Sequence, residues 1–591
     1  MTTEKNNNGS IYHRKNPVVD LDINQTMYNS VFLLNNDNLE QDAIGFLGKN
    51  VSYYDLKKNV DMLAAAYQKA GVKEGDVVGI ATINMPIVQE NLLALSKLGA
   101  TSKWIDLRCK ENDLINDINE SNCKILVIFD GMLGLVTKII SETDLKQVLV
   151  ASPKDYLNPF IRIFANLKEK KEGKNMAIPD DARFVKYYNF IKTGNNSLVI
   201  PATFEKERPS IILKSSGSTG KSKSIIHTEY NFNLAMQKEA YTDLPFAKGK
   251  TMHISIPPFI IYGLNNSIYA SMIFGMKAEM SPYISENTVF DDLGKYEFAC
   301  AAPLHYRYMY NKIIELNNAI SELEKIQTES AKKELKKCLK ELSSIMKRLS
   351  KVQVFVSGGD NISVQELLDM EQTFGKPIIN GYGNNELAGA AIISPVYACK
   401  PKSVGIPMKN IVVRSFTETN EMLPQGVEGE ICVNTDNAFI GYLNNEKETA
   451  RIKQMHDDGK EWIHTGDLGY VDEDGFVYIT GRIKRLIKRA AFKICPDTIE
   501  NIIMLIPEVQ DCVVVGVPDD EELFVPLAFV KSSIGNSEII ELVKQICKKE
   551  LPDYEIPKYI IPVDVIPYKN NKHNFIELEK QGKAIVKKMK K

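Results

Sequence analysis

Apolar residues in the first third of the chain come in short blocks separated by amphipathic stretches. Val77–Ala81, Thr101–Ile105, Ile125–Phe129 and Lys146–Ser152 read as strands, and about Val88–Lys97 reads as a helix between the first two. Ahead of them, residues 43–54 predict a hairpin turning at Gly48-Lys49-Asn50. Ser52 with Asp55 then makes a capping pattern that opens a helix closing at Gly71. Strands alternating with helices predict βαβ units and mostly parallel sheets. Residues 153–205 interrupt this with Lys, Asn and Pro and read as surface connections. No Gly or Pro occurs between Pro303 and Gly358, and Leu316, Ile320, Leu323, Leu335, Leu339, Leu342, Ile345 and Leu349 recur there at helical spacing. That pattern predicts an antiparallel helical hairpin at about 311–351, folded on itself rather than a partner-binding coiled coil.

From Val412 the texture changes to short strands punctuated by Gly, with a hairpin signal at Asp472-Glu473-Asp474-Gly475. A basic strip, Arg482 to Arg489, leads into a small α+β unit. Its helix starts at Pro496, strands follow at Asp511–Val517 and Leu523–Lys531, a second helix runs from about Ser537 to Lys549, and a last strand lies near Tyr559–Val565.

At 591 residues the chain exceeds what one hydrophobic core serves, so at least two domains are expected. A formal net charge of −2 argues against a general nucleic-acid surface. The nine cysteines are scattered singly, which suggests neither a zinc knuckle nor a disulfide framework and points to a reducing, cytoplasmic setting. Residues 1–16 lack the apolar core of a signal peptide. The most membrane-like segment, Ile254 to Met276, contains Pro257, Pro258, Asn265 and Asn266, and reads as buried core rather than a bilayer span.

One stretch organises the chemistry: the apolar Ile211–Leu213 opens into Ser215-Ser216-Gly217-Ser218-Thr219-Gly220-Lys221-Ser222-Lys223. Gly217 and Gly220 let successive N–H groups face one space, the hydroxyls add donors, and Lys221 and Lys223 add positive charge. This is a cradle for a polyphosphate. A Walker loop would need Gly where Ser215 stands, so an ordinary P-loop ATPase or kinase is disfavoured. Apolar segments close on both sides argue against a flexible linker.

Five further stretches are each weak alone: Val356-Ser357-Gly358-Gly359-Asp360, Asn380-Gly381-Tyr382-Gly383-Asn384-Asn385-Glu386, Gly429-Glu430-Ile431, His464-Thr465-Gly466-Asp467-Leu468-Gly469, and Gly481-Arg482 with the basic strip. With the cradle, in this order and at these separations, the chain from about 25 to 585 resembles the adenylate-forming superfamily of acyl-CoA synthetases, aryl-CoA ligases, beetle luciferases and adenylation domains. The resemblance implies an α/β fold. It has a large N-terminal domain (25–484) of mostly parallel sheets flanked by helices with a distorted β-barrel subdomain, and a small mobile α+β C-terminal domain (485–591), after a polar tail (1–24).

The implied reaction joins a carboxylic acid to AMP, releasing pyrophosphate, and then transfers the acyl group to a thiol. ATP and CoA are the implied co-substrates and Mg²⁺ the cofactor. On this resemblance the cradle, Ser215 to Lys221 with Lys223, holds the phosphates; Tyr382 faces adenine between Gly381 and Gly383; and Gly358, Gly359 and Asp360 border the same pocket. Asp467 grips the ribose hydroxyls, an acceptor-only group suited to two donors. Arg482 reaches the ribose or α-phosphate, and Glu386 holds Mg²⁺, which favours one or two carboxylates with phosphate oxygens. Lys572, in Pro567 to Leu578, is the cation placed between the approaching anions, and Lys484 is the hinge.

Four departures from the family pattern bear on function. Ile260, in Phe259-Ile260-Ile261-Tyr262-Gly263, stands where related CoA ligases carry His and amino-acid activators carry Asp. That disfavours an amino acid and leaves a pocket of Phe259, Ile260, Tyr262 and Gly263 suited to a fatty or aromatic acid. Asn385 replaces Thr beside Glu386 and can still donate to phosphate. Ser222 replaces a Pro in the loop. Ala490-Ala491 replaces a Gly that lines the pantetheine tunnel, so thioester formation is less secure than adenylation. Two alternatives stay open: loading of a separate carrier protein's phosphopantetheine, and a catalytically silent nucleotide-binding paralogue acting through its helical hairpin.

Overall fold

The structure is a computed structural model that describes residues 14, 16–157, 177–195, 197–215, 222–282, 284–294, 296–359, 362, 364–396, 398, 400–489, 492–569 and 572–589. Two large mixed sheets form its centre. One has eight strands, with Val77–Ala81, Thr101–Trp104, Ile125–Phe129, Gln147–Ala151, Phe184–Lys186 and Pro209–Lys214 all in parallel. Ser224–Thr228 and Gly441–Tyr442 extend it antiparallel at one edge. The other has nine strands, parallel from Asp42–Phe46 through Lys277–Met280, Thr251–Ile254, Phe298–Ala301 and Val354–Ser357 to Ile378–Asn384.

The helix Ile87–Leu98 is buried along nearly its whole length, and one apolar core joins it to both sheets. A helix buried on all faces must lie inside the protein rather than on its surface. The expected strands and this helix fall within one or two residues of their sequence positions. Ser52 caps Tyr53–Lys69 by accepting from the Asp55 N–H, and the chain turns out at Gly71 with φ +91°. Residues 153–205 hold more order than their composition suggests: Phe184–Lys186 is a strand and Tyr187–Lys192 a helix whose Tyr187 is fully buried.

The segment Ile254 to Met276 is core, as expected. It includes a helical run from Ile261 to Ile273 with a π-turn at Leu264–Tyr269, and its Asn265 and Asn266 are buried. Among the described residues no helix is long and apolar enough to cross a membrane. The helical hairpin is Pro303–Leu323 followed by Glu329–Leu349, eight residues longer at its start than the leucine pattern suggests. Pro303 at the first helical turn explains that early start. The hairpin's apolar stripe packs on itself and onto Phe355 and Phe374.

A five-stranded antiparallel sheet (Val412–Phe416, Gly429–Asn434, Lys453–Met455, Glu461–Val471, Val477–Arg482) follows. After it comes a sheet built only from residues beyond 486, with two apolar cores of its own. Two C-terminal elements were not among those expected from the sequence: a short hairpin, Tyr568–Lys569 with Lys572–His573, and the helix Phe575–Met589.

Candidate active site

An open cleft of about 3670 Å³ lies at the carboxyl ends of the parallel strands and extends to the C-terminal unit. The strand Pro209–Lys214 brings Ser215 to its edge, where Ser222 and Lys223 also lie. The neck of the loop from Ser215 to Lys223 is closed from both sides: Ser215 N–H donates to Lys223 O (2.9 Å), and Lys223 N–H donates to Ser215 Oγ (3.0 Å). Ser216, Gly217, Ser218, Thr219, Gly220 and Lys221 lie outside the described residues. Below the neck is a buried ion cluster. Lys214 pairs with Asp117, and Lys103 reaches Asp117 (3.6 Å) and Glu120 (2.7 Å). Lys103 is 1% exposed, so these partners replace the water that an ammonium would otherwise hold.

Glu386 sits on a single 3₁₀ turn, Asn385–Leu387, begun by Asn384, whose side chain accepts from Leu387 N–H. Its Oε1 accepts from the Tyr442 hydroxyl (2.8 Å), and burial raises its carboxyl above the usual range. Lys223 lies over the Tyr442 ring (4.9 Å) and pairs with Glu448, which in turn accepts from Arg451 (3.2 Å). Asn385 uses its amide on backbone, donating to Lys214 O (3.0 Å) and accepting from Ile261 N–H (3.3 Å). It thereby ties the Glu386 turn to the cradle and to the acid pocket, a role its expected contact with phosphate did not include.

Asp467, Tyr382 and Arg482 meet. The Tyr382 hydroxyl donates to Asp467 Oδ2 (2.6 Å), and Arg482 Nε pairs with Oδ1 (2.9 Å). Burial outweighs Arg482 and raises the Asp467 carboxyl. The turn carrying Asp467 is held by Glu430, which accepts from Gly466 N–H and bonds His464 Nδ1, both at 2.9 Å. Gly358 and Gly359 border the cleft, and Gly359 has φ +85°, a conformation that favours glycine. Gly381 meets no protein atom nearer than 3.8 Å at a Cβ position, which leaves its face open. Gly383 has a different reason to be glycine: a Cβ there would lie 1.9 Å from Gly389 O on the paired strand. Asp360 lies outside the described residues.

On the acid side, Phe259, Ile260 and Tyr262 line the cleft, and Tyr262 donates to Val356 O (2.9 Å). Gly263 does not line it: a Cβ would meet Pro257 O at 2.2 Å, so this glycine serves close packing at the helix start. The same wall holds two polar side chains that the sequence reading missed, Glu239 and Asn266. Neither belongs to a motif. Tyr442, the partner of Glu386, was missed for the same reason.

Lys484 lines the cleft, and burial together with nearby Arg451 lowers its ammonium below the usual range. Lys572 belongs to the short C-terminal hairpin, whose Tyr568 and His573 also line the cleft and both bond Asp511 (2.8 and 3.1 Å). The Lys572 side chain, like Ala490 and Ala491, lies outside the described residues.

Parallel strands thus end at a cleft walled by the loop neck Ser215–Lys223, by Glu386 and by the Asp467–Tyr382–Arg482 group. Residues 35–443 match the AMP-binding enzyme family, and 498–572 match the C-terminal domain of AMP-binding enzymes. The chain belongs to that family, within the adenylate-forming superfamily of acid–thiol ligases that form AMP and pyrophosphate. It is similar to a probable 4-coumarate–CoA ligase 2 of Dictyostelium discoideum, 26% identical over 518 residues, covering 86% of this chain and 84% of that protein. It is also similar to a long-chain-fatty-acid–CoA ligase of Bacillus subtilis, 24% identical, covering 87% of each. Among solved structures, the anthranilate CoA ligase AuaEII with anthranoyl-AMP superposes with a TM-score of 0.78 at 18% identity, covering 96% of this chain and 99% of that one. ATP-bound MatB from Rhodopseudomonas palustris superposes at 0.77 and 20% identity, covering 94% and 99%.

Proposed function

We propose that this protein is an ATP- and Mg²⁺-dependent acyl-CoA synthetase of the cytoplasm acting on a carboxylic acid with a largely apolar body, fatty or aromatic. The observation that carries the reading is the convergence on one cleft of the cradle neck, Glu386, the Asp467–Tyr382–Arg482 group and the Phe259–Ile260–Tyr262 wall. In the first step the substrate carboxylate attacks the α-phosphorus. The bond to the β-phosphate oxygen breaks and pyrophosphate leaves. Asp467 holds the ribose, Tyr382 the adenine, and the cradle with Lys223 holds the departing phosphates. Glu386 fits a hard divalent cation, being a carboxylate on the cleft wall beside the phosphate loop. Bound there, Mg²⁺ would supply charge neutralisation at the phosphate oxygens.

Lys572 would lie between the two approaching anions, on a C-terminal domain that begins at about Lys484–Arg485 and turns about Lys484. In the second step a thiol attacks the acyl carbon and AMP leaves. CoA as that thiol is supported by relatives named as CoA ligases. The test is ATP–pyrophosphate exchange over a broad panel of acids, followed by thioester formation with CoA and, separately, with a phosphopantetheinyl carrier protein. Exchange with some acid and thioester with CoA is expected. Exchange with none would leave a nucleotide-binding protein without this activity, and transfer to the carrier alone would reassign the acceptor.

A further inference from the structure

The acid wall ends in a carboxyl group that pairs with no cation among the described residues. From Ile260 the helical run leads inward: Ile260 and Tyr262 are half-buried, Asn266 one turn on is 5% exposed, and Tyr269 is fully buried. At the level of Asn266 stands Glu239, 4% exposed, at the end of the helix Glu229–Glu239. Both side chains line the cleft.

The amide of Asn266 has a definite orientation. Its Oδ1 accepts from Ala390 N–H (3.2 Å), so its NH₂ group points to Glu239 Oε2, at 3.2 Å. That is the one side-chain hydrogen bond Glu239 makes among the described residues. The neighbouring Lys238 does not help, because its ammonium turns the other way, to Thr435 Oγ1 (2.5 Å) and Asn437 Oδ1 (2.6 Å).

The other deeply buried carboxyls are better supplied. Asp117 has Lys103 and Lys214; Glu229 has Ser96, the Met27 N–H and Arg208; Glu90 has Asn59 and Tyr187. Of the other buried carboxyls, Asp117 and Asp467 border the cleft, and each has a cationic partner. Glu239 therefore combines burial, a single weak donor and access from the acid pocket. A buried carboxyl served by one neutral donor keeps hydrogen-bonding capacity that a ligand entering the pocket can satisfy.

We propose that Glu239 is a specificity-determining residue and that the acid activated here carries a hydrogen-bond donor, an ammonium or a hydroxyl, at the end remote from its carboxylate. This rests on the acid-activating reading above. The apolar wall of Phe259, Ile260 and Tyr262 accommodates the body of such a molecule, and Glu239 receives its tip. Burial holds the Glu239 carboxyl up at about 8, so it is largely protonated at neutral pH and can accept from a hydroxyl or lose its proton to pair with an ammonium.

The test uses full-length protein and acids matched in length and body, in linear and para-substituted aromatic series, tipped with methyl, hydroxyl or ammonium. Pyrophosphate release gives kcat/KM for each. In the wild type one donor tip should exceed methyl by at least about tenfold, since a site built to hydrogen-bond a group rejects the analogue lacking it. Which tip wins separates the hydroxyl from the ammonium. Glu239→Leu should reverse the order, and Glu239→Gln, nearly isosteric, should reduce an ammonium preference more than a hydroxyl one. A wild-type preference for methyl, or ratios unchanged in Glu239→Gln, would overturn the inference while leaving acid activation standing. Absence of pyrophosphate release with every acid is a different outcome: it removes acid activation and the inference with it.

Discussion

At the nucleotide end of the cleft the charged side chains are already tied to one another. Asp467 is held by Tyr382 and Arg482, Glu386 by Tyr442, and Lys223 by Glu448 and the Tyr442 ring. At the acid end Glu239 has, among the described residues, the Asn266 amide alone as a side-chain donor. Groups that must receive the same ligand, ATP, in every turnover can be prearranged by the protein itself, which avoids reorganisation when the charge arrives. A group that reads the variable part of a substrate is completed by the substrate. The contrast predicts that changes at the nucleotide end lower activity for all acids alike, whereas changes at Glu239 alter the ranking among acids.

The largest effect expected on this view is at Lys572. Removing a cation from between two approaching anions with Lys572→Ala should cost about 10²–10³ in the rate of pyrophosphate exchange, equally for every acid. The same variant should still convert a supplied acyl-adenylate to thioester, because that step no longer brings two anions together. Retained exchange would place the catalytic cation elsewhere.

Glu239 leaves a second signature in stability. Its native carboxyl is pushed up to about 8 by burial, from an ordinary value of 4.5. Between those values the unfolded chain has released the proton that the native state keeps, so native stability falls as pH rises from about 4.5 to about 8. Glu239→Gln lacks this titration. The stability difference between the two proteins should therefore move in the variant's favour by a few kcal/mol across that window, measured by denaturant unfolding at each pH. Glu90, raised to about 7, titrates in both and cancels. A difference constant with pH would show that Glu239 is already paired in the native protein and would erase the contrast between the two ends.

Next in size is Asp467→Ala. Losing the equivalent of one hydrogen bond to a charged acceptor, about 1.5–3 kcal/mol net, should weaken ATP binding by roughly 10- to 100-fold. The loss should be the same with every acid and is measurable by calorimetry without any acid. An acid-dependent loss would mean that Asp467 also serves the acyl end.

The sequence made the nucleotide end legible because its parts are short and local. Among the described residues, an Asp in a Gly-bounded turn and Asn385–Glu386 on one turn each lie within a few residues of sequence, so their placement on the cleft could be read locally. The parallel strands were legible for the same reason, as compact apolar blocks. The acid end was not, because it is assembled across distance: Glu239 and Asn266 are 27 residues apart on separate helices, and the Asn266 amide is oriented by Ala390, 124 residues further on. Nothing in the local pattern around Glu239 distinguishes it from an exposed acid at a helix end. Its meaning comes from burial, which is a property of the fold. Gly263 lies in a motif stretch yet does not line the cleft and is fixed by backbone packing, while Gly383 lines the cleft and is also held to glycine by the strand beside it.

The smallest and most discriminating prediction concerns Tyr382. Tyr382→Phe keeps the aromatic face for adenine and removes only the hydroxyl bound to Asp467. Asp467 would then depend on Arg482, whose side chain is 58% exposed and whose ion pair is accordingly weakened by water and salt. A single hydrogen bond of about 0.5–1.5 kcal/mol corresponds to a roughly 2- to 10-fold rise in KM for ATP, with kcat and the ranking of acids unchanged. The rise should grow with ionic strength as the remaining ion pair is screened. A fall in KM would mean that the hydroxyl competes with the ribose for Asp467, so that the nucleotide end, like the acid end, is finished only when its ligand arrives.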